Sequence, residues 1–144
     1  MERLRGTCIA VGGSGVLLRG PSGSGKSDLA LRLIDAGGRL VADDYTDVSE
    51  VGRRLVATAP PKVHGLLEVR GIGIVRLEAK PSARLIACVD LVRIEQVERM
   101  PLPEDVQILG ISLPRYVVWA AEPSAVAKVA LVVRLACGTI MRIA

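Results

Sequence analysis

The chain has 144 residues, a formal net charge of +4 and a hydrophobic fraction of one half. That length suits a single domain with a real core, and no linker, repeat or low-complexity tract divides 1–144. The apolar residues are almost all aliphatic, with no Phe, one Trp and two Tyr, which points to a buried sheet flanked by helices and argues against a nucleic-acid platform built on aromatic stacking.

Thr7–Val11, the turn Gly12-Gly13-Ser14 and Gly15–Arg19 read as a β-hairpin. It feeds Gly20-Pro21-Ser22-Gly23-Ser24-Gly25-Lys26-Ser27, which fits the nucleoside-triphosphate loop G-x-x-x-x-G-K-[ST] at every fixed position. Such a loop turns consecutive N–H groups toward phosphate oxygens and opens a helix whose dipole favours the same charge. The nucleotide segment is therefore expected to be Gly20, Pro21, Ser22, Gly23, Ser24, Gly25, Lys26, Ser27 and Asp28, with ATP as the nucleotide. Lys26 is expected to stay solvated until it meets the β- and γ-phosphates, and the Ser27 hydroxyl to ligate Mg²⁺. The helix should run from about Lys26 to Ala36 and stop at Gly37-Gly38.

Arg39–Ala42 is the next strand, and Asp43-Asp44 stands where it emerges, 17 residues after Lys26. One helix and one strand fit in that interval, so the carboxylates belong near the phosphate loop. One is expected to hold Mg²⁺ and the other to accept a proton from an attacking hydroxyl. Tyr45–Val51 and Arg53–Thr58 form a second hairpin around Gly52, and Pro60-Pro61 opens an irregular stretch. In Gly65–Ile74, Glu68 and Arg70 share a face if the segment is extended, and Gly71 and Gly73 allow backbone to approach a ligand. His64, the only histidine, is read as structural or solvated.

Gly73–Glu78 and Arg84–Asp90 are strands, Met100–Glu104 a loop and Tyr116–Ala120 the last strand. Pro123–Cys137 is a helix with Ser124 available as a cap. Its apolar run is broken by Lys128 and Arg134, so no membrane span is expected. Cys8, Cys88 and Cys137 lie far apart in apolar runs and are expected to be buried thiols of a cytoplasmic protein. The fold class is α/β, a P-loop core more β-rich than a doubly wound sheet.

Residues 20–28, Leu-Val-Ala-Asp-Asp at 40–44 and Leu-Leu-Glu-Val-Arg-Gly-Ile-Gly-Ile at 66–74 occur in this order. Together they resemble the catalytic domain of the HPr kinase/phosphorylase family of bacterial serine kinases. The first two also look like the phosphate and metal loops of phosphoenolpyruvate carboxykinase, a structural cousin. The resemblance spans about residues 4–135, is sharp through residue 78, and suggests a short form lacking an N-terminal domain.

The resemblance implies that Lys26 and Ser27 serve the phosphate loop, Asp43 as base and Asp44 as metal carboxylate. It makes Glu68 a second acid of the metal shell and Arg70 the arginine that offsets charge on the transferring phosphoryl group. It further implies ATP and Mg²⁺ as cofactors, an HPr-like phosphocarrier as partner, and a hexameric homo-oligomer that aliphatic surface near the C-terminal helix would suit. Two departures stand out. Arg5 replaces the family's usual histidine 15 residues before Gly20, and the region after Met100 is short. Both favour kinase over phosphorylase activity. The alternatives are a small-molecule kinase or NTPase, and a nucleotide-sensing module with little transfer.

Overall fold

In a computed structural model describing residues 1–144, strand β3 (Ser14–Arg19) and strand β9 (Ala83–Leu91) run parallel through the middle of a nine-stranded sheet. Strand β2 (Thr7–Val11) pairs antiparallel with β3 on one side and with β4 (Arg39–Ala42) beyond it. The far edge of β9 is shared. Its first half pairs with β6 (Arg54–Thr58), which leads to β5 (Tyr45–Val51) and edge strand β1 (Glu2–Arg5). Its second half pairs in parallel with β11 (Ile111–Val118), itself paired with β10 (Glu104–Ile108). Strands β7 (Leu66–Val69) and β8 (Gly73–Arg76) form a separate hairpin. The expected β-rich α/β architecture holds, with two α-helices, α1 (Lys26–Asp35) and α2 (Ala125–Ala136). No helix is long and apolar enough to cross a membrane.

Both helices lie on one face of the sheet. Helix α1 buries Lys26, Leu29, Ala30 and Leu33, and α2 buries Ala125, Val129, Val132 and Val133, each a helical stripe. These stripes pack on Ile9, Val16, Leu18, Ala87, Val89 and Leu91. Alternate residues of the same strands, including Cys8, Ala10, Leu17 and Cys88, line a second core on the other face. In β9 the alternation changes parity because pairing slips from Gly15↔Leu85 to Val16↔Ala87. Ile86 is the extra residue, and the slip lets Leu85 and Cys88 share a core.

Cys8 and Cys88 are buried as expected, and burial pushes their thiols up to about 12 and about 11. Cys137 is instead exposed, because α2 ends at Ala136 and the chain leaves the core there. Ser124 occupies the position before α2 but makes no side-chain capping bond, so the helix is held by packing. Helix α1 ends as the glycine pair suggested. Gly38 N–H donates to Leu33 O at 2.8 Å and Gly37 N–H to Ile34 O at 3.0 Å.

Three strand assignments differ from expectation. β1 is absent from the sequence reading because its alternation is masked by charged residues on an exposed edge. Glu104 starts β10 rather than ending a loop, and β11 begins at Ile111, well before Tyr116. The turn joining them is Leu109-Gly110 with φ 51° and 77°, a two-residue hairpin turn with a leucine where Asn, Asp or Gly normally signals it. At Gly12-Gly13, φ 59° and 84°, the usual residues are present and the turn was legible.

An ion cluster links strands β3, β9, β11 and β10. The Asp90 carboxylate accepts from Arg19 at 2.7 and 3.0 Å and from Arg115 at 2.6 Å, and Arg115 also reaches Glu104 at 2.6 Å. Burial alone raises the Asp90 carboxyl. The two guanidinium groups together outweigh burial and hold it below the usual carboxylate range.

Candidate phosphate and acceptor cleft

Residues 20–25 leave β3 and enter α1 at the end of the parallel strands, the strand–loop–helix context expected of a phosphate loop. Two glycines there are sterically required. A Cβ on Gly20 would lie 2.6 Å from Ser24 Oγ and 3.1 Å from Leu91 O. Gly25 has φ 93° at the helix entrance, and a Cβ there would lie 2.9 Å from that of Ala120. No side chain caps α1, so its first N–H groups remain available to an anion.

The loop borders an open cleft of about 560 Å³ lined by Ser22, Gly23, Gly25, Lys26, Ser27 and Asp28 on one side. Leu31, Asp43, Asp44, Glu68, Val69, Arg70 and Arg5 complete its wall. Carboxylates and cationic side chains thus meet in one cleft, which suits a cation-bridged polyphosphate and a reacting hydroxyl.

The acidic pair is placed by a bulge. Pairing of β2 with β4 slips from Ile9↔Leu40 to Cys8↔Ala42, leaving Val41 as the extra residue. The bulge turns the end of β4 so that Asp43 faces both Thr7 and α1. Asp43 Oδ1 accepts from Thr7 Oγ1 at 3.0 Å and from Ser27 Oγ at 3.4 Å. Asp43 Oδ2 accepts from Glu68 N–H at 3.3 Å, joining the separate hairpin to the loop. Asp44 adopts φ 65°. Its N–H donates to Thr7 Oγ1 at 3.1 Å, and its carbonyl accepts from Gly6 N–H at 2.7 Å.

Lys26 departs from expectation. It is 9% exposed rather than solvated, and its ammonium donates to Gly20 O and, at 3.3 Å, to Pro21 O. Desolvating an ammonium costs free energy unless acceptors replace water, and the two loop carbonyls serve that purpose without phosphate.

Glu68 ends in the cleft on β7, but β7 stops at Val69, so Arg70 lies in the turn beyond rather than one strand step along. Its turn position still borders the cleft. His64 is exposed and lies outside it. Thr7 had no signal in the sequence: a threonine in a strand is ordinary, and its contact with Asp43 exists only once β2 and β4 pair.

Mg²⁺ commonly uses one or two protein oxygens, water and substrate phosphates rather than an all-protein cage. The Ser27 hydroxyl beside the Asp43 carboxylate is such an oxygen pair, so the donor set fits this ion. No three His, Cys, Asp or Glu side chains form a ready metal cluster.

Similarity to known proteins follows the same residues. The family model for the HPr Serine kinase C-terminal domain matches residues 1–136. The HPr kinase/phosphorylase of Malacoplasma penetrans is 36% identical over 131 residues, covering 81% of this chain and 43% of that protein. That of Clostridium tetani is 49% identical over 73 residues, 51% of this chain and 24% of that protein. The chain thus spans less than half the length of these two relatives. The Hpr(Ser) kinase/phosphatase structure from Coxiella burnetii superposes with a TM-score of 0.85 at 25% identity, covering 96% of this chain and 98% of that one. With the cleft carried by the same continuous domain, the chain belongs to the HPr serine kinase C-terminal domain family.

Proposed function

We propose that this domain transfers the γ-phosphoryl group of ATP to a serine hydroxyl of an HPr-like phosphocarrier, in a regulatory role in the cytoplasm. One observation carries the reading. Asp43 is within 3.4 Å of Ser27 and accepts from Glu68 N–H, so carboxylate, phosphate loop and Glu68–Arg70 segment share one cleft.

Ser27 and Asp43 would hold Mg²⁺, which supplies charge neutralisation and orientation of the phosphates when bound. The amides of residues 23–27 bind the polyphosphate. Lys26 exchanges its carbonyl partners Gly20 and Pro21 for anionic oxygens, a trade toward stronger charge-assisted bonds. Asp44 is the base. Its carboxylate borders the cleft, while Asp43 is already committed to Ser27, Thr7 and the Glu68 amide. This reverses the roles expected for the pair from resemblance. Asp44 takes the serine proton as the hydroxyl oxygen bonds to phosphorus and the bond to the departing diphosphate breaks. Arg70 offsets charge on the moving group, and Glu68 orients ligands around the ion.

The acceptor proposal draws on family membership, as does self-association into a hexamer. Exposed Leu131 on α2 is consistent with a subunit contact there. Incubation with ATP, Mg²⁺ and an HPr-like protein tests the function. Phosphoserine on the acceptor supports it, whereas ATP hydrolysis without transfer supports a plain NTPase.

A further inference from the structure

A single buried hydroxyl holds both members of the acidic pair. Thr7 is completely buried. Its Oγ1 donates its one proton to Asp43 Oδ1 and accepts from the Asp44 N–H. Thr7 does not line the cleft, so it touches no bound ligand. Both of its side-chain hydrogen bonds go to Asp43 and Asp44.

The Asp44 backbone makes this contact consequential. A non-glycine residue at φ 65° pays a conformational cost and stays there only when its surroundings impose it. Here residues 6 and 7 grip that one residue from both sides. Gly6 N–H holds the Asp44 carbonyl at 2.7 Å, and Thr7 Oγ1 holds its N–H at 3.1 Å. The bulge at Val41 delivers Asp43 opposite Thr7, and the left-handed turn at Asp44 follows immediately.

We infer that Thr7 is a positioning residue of the transfer reaction, fixing the Asp43 carboxylate toward Ser27 and the Asp44 backbone in its left-handed conformation through one hydroxyl. The inference rests on reading the cleft as a Mg²⁺–nucleotide phosphotransfer site. A core threonine serving packing alone would need its methyl group and volume. A positioning threonine needs its oxygen. Valine and serine separate the two requirements. Valine keeps the volume but leaves the Asp44 N–H without its Thr7 acceptor, and serine keeps the oxygen.

The test uses the full chain as wild type, Thr7→Val and Thr7→Ser. ATP affinity is measured by calorimetry with and without Mg²⁺, Mn²⁺ binding in the presence of ATP by electron paramagnetic resonance, and phosphotransfer in parallel. In Thr7→Val, the gain in ATP affinity on adding Mg²⁺ should fall about tenfold or more, with Mg²⁺-free affinity within about twofold of wild type. Mn²⁺ binding should weaken in step, kcat should fall while KM for the acceptor holds, and Thr7→Ser should recover the wild-type behaviour. Thr46→Val is the comparison, because the Thr46 hydroxyl is also buried but donates to Gly6 O and touches neither carboxylate. It should lower Tm without changing the metal titration.

A folded Thr7→Val protein with the full Mg²⁺ effect would overturn the inference, as would an equal loss in Thr46→Val. If Thr7→Val does not fold, Thr7→Ala is compared with Thr7→Ser under the same criteria. If wild type binds metal and nucleotide in the expected pattern yet phosphorylates no protein, the functional reading fails while the positioning role stands.

Discussion

The Asp43 carboxylate lies 3.4 Å from the Ser27 hydroxyl, linking the end of β4 to the first turn of α1. Asp44, the next residue, makes no comparable link to the loop and borders the cleft. Neighbouring carboxylates in the chain are thereby given different surroundings, and substitutions at the two should fail differently.

Asp43→Asn should bind Mg²⁺-free ATP normally but need about 10- to 100-fold more Mg²⁺ for activity. Asp44→Asn should bind ATP and Mg²⁺ as wild type does and lose about 10²- to 10⁴-fold in kcat. Nucleotide and metal titrations alongside initial rates decide this. The opposite pattern would return the base to Asp43.

Lys26→Ala should weaken ATP binding and lower kcat about 10²-fold or more, because a charge aimed at the transferring group is lost. Its bonds to Gly20 O and Pro21 O predict a further effect, a stability change of about 1 kcal/mol without ligand. Thermal unfolding and calorimetry check both. Wild-type ATP affinity in the folded variant would remove the nucleotide site from this loop.

The strand–loop–helix around residues 20–25, both helices and the central strands were legible because each rests on local pattern: the 26, 29, 30, 33 stripe, Gly37-Gly38 and the turn at Gly12-Gly13. β10 and β11 were obscured where local signals and tertiary pairing disagree. Pro114 lies inside β11 opposite Asp105, and Leu109 takes a left-handed turn position usually given to smaller or polar residues. In the cleft, residue identities could be read but not their contacts. The order Asp43-Asp44 does not reveal which carboxylate meets Ser27. That depends on the extra residue at Val41, visible only in the pairing of β2 with β4. The burial of Lys26 was hidden for the same reason, since its acceptors belong to the folded loop.

Asp90→Asn should destabilise the protein at neutral pH by about 1–3 kcal/mol, between exposed and fully buried ion pairs, because it leaves Arg19 and Arg115 without their shared carboxylate. The folded-state value of Asp90 is depressed, so its contribution is present above the unfolded value of about 4 and lost as pH falls through the lower folded value. Urea unfolding from pH 7 to pH 2 should show wild type and variant converging at the acid end. A constant difference would mean that packing, rather than charge, carries the effect.

Arg5 lines the cleft, where its guanidinium offers N–H donors in a fixed fork and no acceptor for a proton. Forward transfer is therefore expected to exceed dephosphorylation by inorganic phosphate, and Arg5→His should narrow the gap. Initial rates of ATP-dependent phosphorylation, and of pyrophosphate release from phosphoserine-HPr, measure it. Equal forward and reverse rates in the wild type would show that an imidazole at this position is not needed.

The most direct measurement is intact-mass analysis of an HPr-like protein after incubation with this chain, ATP and Mg²⁺, followed by mapping of the modified residue. Phosphotransfer through the Asp43–Ser27 cleft predicts one added phosphoryl group on a serine, dependent on Mg²⁺ and absent with Asp44→Asn. An unmodified acceptor despite tight Mg²⁺-dependent ATP binding, or full modification by Asp44→Asn, would contradict it.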